Sequence, residues 1–473
     1  MPEIVINREW CKGCYICVNV CPRHVLEVDQ ESFDHGIHPV VAARPDDCTV
    51  CRQCELLCPD LAISVSGEGA GTPAAEARAE PAPGPAPRPL PAGWTTVASP
   101  LPAGRYFLQG DEACAEGAIA AGCNFYAGYP ITPASEIMER ICARFADLPG
   151  RRVFIQMEDE IGSIGACIGA AWAGAKAMTA TSGPGISLMV ENLGYAIITE
   201  TPLVIVDVQR AGPSTGQATR PGQGDYMQVR WGAHGDYEII VLSPWSVGEM
   251  YTETIRAFNL AERFRVPVIL LADEGVGHLR ENLTIPPEVR VFNRIGPSDR
   301  EPPFGGRPVP PMPVFGEGHR LLVTGSTHDE WGYRRTSSAK AQAELTARLC
   351  AKITDSLDEI LASETYLCDD DGLDLLLVSF GFTARSALGA ARMAREAGYR
   401  AGLFRPRTVW PFPAEALRAV AAKSARVLVA EMNRGQMLRE VQRVVPDARG
   451  YGKTDGEVIA PGEIWAAAKE WLR

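Results

Sequence analysis

The chain has 473 residues, enough for about three domains, each with its own core. Its 46% hydrophobic and 22% charged content is that of an ordinary globular protein, and a net charge of −12 argues against a surface built for nucleic acid. No basic region followed by an apolar core opens the sequence, and no stretch reaches about 18 uninterrupted strongly apolar residues, so neither a secretory signal nor a membrane span is expected. The expected compartment is the cytoplasm, where the fourteen cysteines need a reason other than disulfides.

Residues 1–66 hold an internal repeat. Cys11, Cys14, Cys17 and Cys21, followed by Pro22, obey C-x2-C-x2-C-x3-C-P, and Cys48, Cys51, Cys54 and Cys58, followed by Pro59, obey it again. Each half continues into a short apolar strand, near 25–28 and 61–65. Thiolates at this spacing hold [4Fe–4S] cubanes, the fourth cysteine of each run serving the other cluster. One cluster is then assigned to Cys11, Cys14, Cys17 and Cys58, the other to Cys48, Cys51, Cys54 and Cys21. Zinc sites show paired C-x2-C knuckles rather than runs of four closed by proline. The module resembles bacterial-type ferredoxins, an α+β fold, and two clusters in so small a domain imply electron transfer. The other six cysteines, Cys114, Cys123, Cys142, Cys167, Cys350 and Cys368, have no ligand spacing and read as small buried hydrophobes.

Residues 67–100 turn to Gly, Ala, Pro and Glu, a composition that cannot bury a core and predicts an extended tether. From Gly110 an α/β pattern begins: a helix over 111–121, a strand over 125–129, then Pro130-Ile-Thr-Pro133 opening another helix with Thr132 as N-cap and Pro133 in the first turn. Next comes a strand at 153–156 ending in Glu158, Asp159 and Glu160, where a helix N-terminus favours negative charge. That helix has an apolar stripe, Ile161, Ile164, Ile168 and Trp172, and a stripe of small residues, Gly162, Ala166, Gly169 and Ala173. Each interior glycine costs a helix about 1 kcal/mol, so the small stripe implies either tight packing or close approach by a cofactor. A strand at 177–181 leads into Ser182-Gly-Pro-Gly185 and a helix over 186–198, whose free N–H groups can receive a polar ligand. A strand at 203–208, a polar loop over 209–225, strands at 239–242 and 266–271 and a helix at 247–264 complete this region. Residues 291–365 read as a connection with an amphipathic helix at 338–362. A second α/β unit follows, with strands at 375–380, 399–404 and 426–430 and helices at 383–396, 413–422 and 436–444.

Tyr129-Pro-Ile-Thr-Pro133, Met157-Glu-Asp-Glu160, Thr181-Ser-Gly-Pro-Gly185 and Arg210-Ala-Gly-Pro-Ser-Thr-Gly216 occur in the order and spacing of 2-oxoacid:ferredoxin oxidoreductases. The chain resembles their α subunit over essentially all of 101–473, including Thr327-His-Asp-Glu330. The resemblance implies an α/β architecture: a pyrimidine-type thiamine-diphosphate-binding domain at 101–290, the connecting segment, and a transketolase C-terminal-like domain at 366–473. It places Tyr129, Pro130, Ile131, Ser182 and Gly183 against the cofactor and gives Glu160 the carboxylate role at the aminopyrimidine. Glu158 and Asp159 compete for that role, since three adjacent acids can simply cap a helix. Thr132 is implied beside the reacting centre, or is only an N-cap. Arg210 is implied to pair with the 2-oxoacid carboxylate, or is a surface ion pair. Ser214, Thr215 and Arg220 share its loop, and Arg220 suits the second carboxylate of 2-oxoglutarate or is merely solvated. The C-terminal domain reads as a scaffold, with Arg405 and Arg407 as candidates for coenzyme A phosphates.

No GDG motif for a Mg²⁺-bound diphosphate occurs in the sequence. The resemblance therefore implies a β subunit supplying Mg²⁺, the diphosphate half of the site and a further [4Fe–4S] cluster, with room for a γ subunit and an assembly such as (αβ)2. The implied reaction is coenzyme A-dependent oxidative decarboxylation of a 2-oxoacid, its electrons leaving to an external ferredoxin. 2-Oxoglutarate is favoured over branched-chain or aryl 2-oxoacids, including indolepyruvate. The rival reading is a non-catalytic electron-transfer and scaffold subunit.

Overall fold

The computed structural model describes residues 2–8, 11, 15–33, 38–51, 53–56, 58, 62–67, 90–298, 301–369 and 372–472. The chain divides into two units, Met1–Pro89 and Leu90–Arg473. In the first, Glu3–Ile6 pairs antiparallel with Ile63–Ser66, and Leu26–Val28 with Val40–Ala42. Each half carries one short helix, Ile16–Val20 or Gln53–Leu56, within its cysteine run. Leu26, Val40, Ile63 and Val65 form a small core together with Cys17 and Cys54. A module this small buries little apolar surface, so groups that cross-link it contribute much of its stability.

Most of the expected tether, 68–89, lies outside the described residues. Its last part is not a tether. Trp94–Ala98 is a strand paired antiparallel with Glu288–Phe292, with Trp94 edge-on to Phe292 at 5.5 Å between ring centres. The neighbouring Gly104–Gln109 pairs with Arg280–Ile285 in the same way. Both partners lie nearly two hundred residues downstream, and the strand's exposed alternation carries no local apolar signal.

The second unit is built on two sheets. The larger runs, in spatial order, Thr408–Trp410, Ile240–Leu242, Pro267–Asp273, Leu203–Ala211, Ala177–Thr181, Phe125–Gly128 and Val153–Gln156. All are parallel except Thr408–Trp410, which the C-terminal region adds antiparallel to the edge at Ile240–Leu242. The central strands are apolar and buried on both faces, as a parallel sheet covered by helices on both sides requires. From Phe125–Gly128 the chain moves outward to Val153–Gln156. It then returns to the other side of that strand with Ala177–Thr181, and goes on in the opposite direction to Leu203–Ala211. Connections leaving two neighbouring strands in opposite directions open a crevice beyond their carboxyl ends, where ligands bind in open α/β sheets.

The smaller sheet, Ser363–Tyr366, Ala401–Pro406, Leu375–Val378, Val427–Glu431 and Arg449–Gly452, is parallel apart from its first strand. Its helices include Gly381–Glu396 and the C-terminal Pro461–Leu472. The expected amphipathic helix in the connection is shorter, Ala339–Thr354, followed by a single turn at Leu357–Ile360. Among the described residues no helix is long and apolar enough to cross a membrane.

Candidate active site and cluster sites

Three turns meet at the carboxyl ends of the crevice strands: Tyr129–Pro133, Met157–Glu160 and Ser182–Gly185. The three adjacent acids separate cleanly. Asp159 is the N-cap, its Oδ1 accepting the Gly162 N–H at 2.7 Å. Glu158 is exposed. Glu160, the first residue of the Glu160–Trp172 helix, is buried, with 4% of its surface exposed, and its Oε1 lies 3.4 Å from the Thr181 hydroxyl that donates to it. Burying a carboxylate is costly unless it has a partner, and one long hydrogen bond leaves this one suited to hold a ring nitrogen. The Ser182 hydroxyl, buried at the head of the Gly183–Ile198 helix, has no hydrogen-bond partner. These residues fit the aminopyrimidine half of thiamine diphosphate: a buried acceptor, an open hydroxyl and a glycine-lined backbone.

The helix behind Glu160 behaves as expected on one side only. Ile164, Ile168 and Trp172 are buried, and the Trp172 indole N–H donates to Thr201 Oγ1 at 2.8 Å. Ile161, expected in that stripe, is exposed, and Gly169 on the small-residue face has nothing within 4 Å of where its Cβ would be. Elsewhere on that face Ala166 packs against Ala127, Cys167 and Ala177, and a Cβ at Gly162 would meet Met157 at 3.1 Å, so among the described residues the face is packed at one end and open at Gly169.

Thr132 does not cap a helix. Ile131–Ala134 makes a tight turn with a cis Thr132–Pro133 bond, the Ala134 N–H donating to the Ile131 carbonyl at 2.8 Å, and the helix starts at Ser135. Thr132 is instead held by Arg210, whose Nη1 donates to its carbonyl at 2.7 Å. Arg210 is buried and its Nε has no partner. It extends from Leu203–Ala211, a strand three residues longer than its apolar run. The polar loop beyond is a hairpin, with Gln217–Pro221 returning antiparallel.

Arg210 and Gly183 line a cavity of about 470 Å³ whose far wall comes from the segments that follow Val427–Glu431 and Arg449–Gly452 of the smaller sheet, among them Asn433, Arg434, Lys453 and Glu457. Ser214 lines it too, but Thr215 does not, and Tyr129, Pro130, Ile131, Thr132 and Glu160 lie outside its lining. Arg220 is at the surface, paired with Glu457 at 2.7 Å. The cavity adds residues that the motifs did not single out: Asp225, Arg434 and Lys453. Asp225 lies on the expected polar loop, and Arg434 follows the strand Val427–Glu431, so strand-end position was the available signal. Burial pushes the Asp225 carboxyl up to about 7, against the pull of Arg210, and raises Asp207 further, with Asp225 adding to the effect. Asp225 fills the space a side chain at residue 183 would take, since a Cβ on Gly183 would be 2.7 Å from Asp225 Oδ2.

Arg405 and Arg407 are not free for phosphates. Arg405 is fully buried, its guanidinium held by both Glu249 oxygens at 2.6 and 2.7 Å and by Glu364 at 2.6 Å, and stacked 4.2 Å over Trp245. Arg407 bonds Glu253 and reaches Glu364 at 3.2 Å. A bidentate, stacked arginine is a typical buried ion-pair residue, and these two join the C-terminal sheet to the long helix Val247–Phe264.

In the first unit Cys21, Cys48, Cys51 and Cys54 line one cavity, the set that the spacing assigns to a single cluster. Burial raises the Cys54 thiol, and the neighbouring Cys21 and Cys51 sulfurs push it the same way. Cys11, Cys17 and Cys58 pack around the same small core, while Cys14 lies outside the described residues. The two halves repeat in detail: the Val25 N–H donates to Cys21 Sγ at 3.3 Å and the Ala62 N–H to Cys58 Sγ at 3.2 Å. Such N–H···S bonds favour thiolates and help set cluster potentials. Of the remaining cysteines, Cys114, Cys123 and Cys167 are buried as expected, Cys350 and Cys368 are half-buried, and Cys142 is exposed.

A thiamine-type crevice in one unit and a two-cluster cysteine framework in the other define a redox enzyme subunit. Family models agree in both. The thiamine-diphosphate-binding domain of pyruvate flavodoxin/ferredoxin oxidoreductases matches residues 116–348, core domain II of pyruvate:ferredoxin oxidoreductase matches 374–464, and a 4Fe-4S dicluster domain matches 10–62. The 2-oxoglutarate synthase subunit KorA of Methanothermobacter marburgensis is 52% identical over 372 residues, 76% of this chain and 97% of that subunit. The ketoisovalerate oxidoreductase subunit VorB of Methanothermobacter thermautotrophicus is 38% identical over 336 residues, 71% of this chain and 88% of that subunit. A solved 2-oxoglutarate:ferredoxin oxidoreductase from Magnetococcus marinus, with 2-oxoglutarate, coenzyme A and succinyl-CoA bound, superposes with a TM-score of 0.73 at 30% identity, covering 78% of this chain and 65% of that one. The chain belongs to the 2-oxoacid:ferredoxin oxidoreductase family, as a KorA-type subunit of a multi-subunit oxidoreductase that also carries a 4Fe–4S domain.

Proposed function

We propose that the chain is the α subunit of a 2-oxoglutarate:ferredoxin oxidoreductase, which converts 2-oxoglutarate and coenzyme A to acyl-CoA and CO2. The observation that carries this reading is the buried Glu160 at the crevice of the larger sheet, the one acid of three that neither caps the helix nor faces solvent. Higher identity to subunits named for 2-oxoglutarate than to those named for ketoisovalerate supports the substrate. Glu160 would hold N1′ of the aminopyrimidine, with Tyr129, Pro130, Ile131, Ser182 and Gly183 around the ring. Thiamine diphosphate, when bound, supplies the nucleophilic carbon and the electron sink for decarboxylation.

The chain's own residues prepare the substrate. Arg210 carries a fixed positive charge and an open Nε for a carboxylate, and its bond to the Thr132 carbonyl fixes both turns before substrate arrives. Ser214 adds a hydroxyl at the cavity rim, with Thr215 and Arg220 beyond it. A β subunit completes the site with the diphosphate, Mg²⁺ and its own cluster. Cys11, Cys14, Cys17 and Cys58 with Cys48, Cys51, Cys54 and Cys21 hold the two clusters that pass electrons to a ferredoxin in the cytoplasm.

Anaerobic assay of the co-purified complex against a panel of 2-oxoacids, with coenzyme A and ferredoxin, tests this. 2-Oxoglutarate is expected to exceed 3-methyl-2-oxobutanoate and aryl 2-oxoacids in kcat/KM by at least about tenfold, the discrimination available to a site that pairs a second carboxylate. A preference for either of the others overturns the substrate. Absence of turnover with every 2-oxoacid, in a complex loaded with thiamine diphosphate and iron, favours the non-catalytic reading.

A further inference from the structure

Where the helix after the Tyr129–Pro133 turn begins, Asp111, Glu136 and His278 bring one ligand atom each within 4.8 Å of one another. They come from three elements: Asp111 from the start of the Gly110–Ala120 helix, Glu136 from the first turn of Ser135–Asp147, and His278 from the end of Glu274–Gly277. Acids at helix N-termini often need no ligand, because free N–H groups satisfy them. Here Glu112 does that work, accepting the Gln109 N–H at 2.8 Å, whereas Asp111 is fully buried with neither oxygen bonded to any donor. A buried carboxylate left without a partner is among the costliest arrangements in a folded chain.

The imidazole is oriented for coordination. Its Nδ1 lies 3.3 Å from Glu274 Oε1, which fixes the ring and leaves Nε2 facing Glu136 Oε2 at 3.6 Å, within ion-pair range but beyond hydrogen-bond length and without a hydrogen-bond partner. A carboxylate on the distal nitrogen is the usual support of a metal-binding histidine. As an imidazolium His278 would offset part of the local negative charge, yet both Asp111 oxygens would still lack a donor. Residue 277 is glycine where space is needed, since its Cβ would stand 2.9 Å from Asp111 Oδ1.

We infer that Asp111, Glu136 and His278 Nε2 bind a divalent first-row cation of the Mn²⁺ to Zn²⁺ series. One imidazole with two carboxylates is a donor set suited to these ions, with waters completing the shell. The site is distinct from the Mg²⁺ proposed for the diphosphate and from both clusters. Its effect is to tie together the three helical elements that carry its ligands.

The test uses the full chain with clusters intact, chelator-treated and free of thiamine diphosphate and Mg²⁺, titrated anaerobically with Mn²⁺ and followed by loss of the aquo-Mn²⁺ EPR signal. Mn²⁺ discriminates against stray thiolates. One saturable equivalent is expected, weakened at least about tenfold by Asp111→Asn and by Glu136→Gln, with iron and sulfide content unchanged. Glu136 is partly exposed, so its variant reports on binding even if Asp111→Asn impairs folding. No saturable binding, or equal binding by wild type and Glu136→Gln, overturns the inference.

Discussion

Gly185 and Glu160 occupy one space: a Cβ on Gly185 would fall 2.6 Å from Glu160 Oε1 and overlap the Thr181 hydroxyl. The glycine of the strand–turn–helix motif therefore makes room for the carboxylate as well as for a ligand. Gly185→Ala is expected to push Glu160 out of place and lower turnover about 100-fold, the cost of misplacing a reacting group by about 1 Å, with iron content unchanged and a lower melting temperature from overpacking beside Thr181. Turnover within twofold of wild type would separate the glycine from the chemistry.

Arg210 and Arg220 sit ten residues apart along one hairpin but in different settings, one buried in the cavity wall and the other on a surface pair with Glu457. Arg210→Lys keeps the charge and loses the fork that serves both the Thr132 carbonyl and a carboxylate. It should raise KM for the 2-oxoacid by roughly tenfold or more, the worth of one charge-assisted hydrogen bond. Arg220→Met should change it by less than about twofold, as expected of an exposed ion pair. Equal effects on KM would return Arg220 to the substrate site.

Asp273 links the two sheets. Its Oδ1 accepts the Val276 N–H at 3.1 Å, and its Oδ2 accepts from Gln223 Nε2 at 2.9 Å and the Phe382 N–H at 2.8 Å. Burial pushes its carboxyl up to about 6, despite those donors, against about 3.9 in an unfolded chain. Between those values the folded chain keeps a proton that the unfolded chain has released, so this group's contribution to stability falls as pH rises from about 4 to 6. The melting-temperature advantage of wild type over Asp273→Asn should shrink across that window and level off above it. An advantage that grows with pH would show that the carboxylate, not the acid, is the favoured buried form.

The ion pairs of Arg405 predict a stability defect rather than a binding defect. Arg405→Ala takes the main cation from Glu249 and Glu364, leaving them to Arg407 and the Trp245 N–H, and should cost somewhat less than the roughly 3–5 kcal/mol of a fully buried unpaired charge, read as a clear drop in melting temperature. KM for coenzyme A should stay within twofold. A large rise in that KM with normal stability would restore a phosphate-binding role.

The legible parts of this chain were those written locally. Eight cysteines at fixed spacing name their ligand set without reference to the fold, and Cys21, Cys48, Cys51 and Cys54 do share a cavity. Ala177–Thr181 is legible because a buried parallel strand is a continuous apolar run bounded by turns, whereas Val153–Gln156, apolar enough to suggest a buried strand, lies at the edge of the sheet with Ile155 and Gln156 exposed. What escaped was set by distant partners. Trp94–Ala98 is a strand only because Glu288–Phe292 lies beside it, and Thr408–Trp410 leaves its own domain to pair with Ile240–Leu242. Residues 209–211 and 217–221 read as loop because their side chains are mostly polar, although Gln209 and Arg210 are buried in the fold. Thr132 followed by proline has the form of a helix start, but the chain turns once more at Ile131–Ala134 before the helix begins. Arg405 looked available because sequence shows charges and not their partners.

The central claim is that Glu160 is the carboxylate on which the chemistry depends. Glu160→Gln keeps the size of the side chain and removes its charge. In the co-purified complex, 2-oxoglutarate-dependent reduction of ferredoxin should fall to background while iron content and dithionite-reduced cluster EPR match wild type. Turnover unchanged by this substitution would contradict the account.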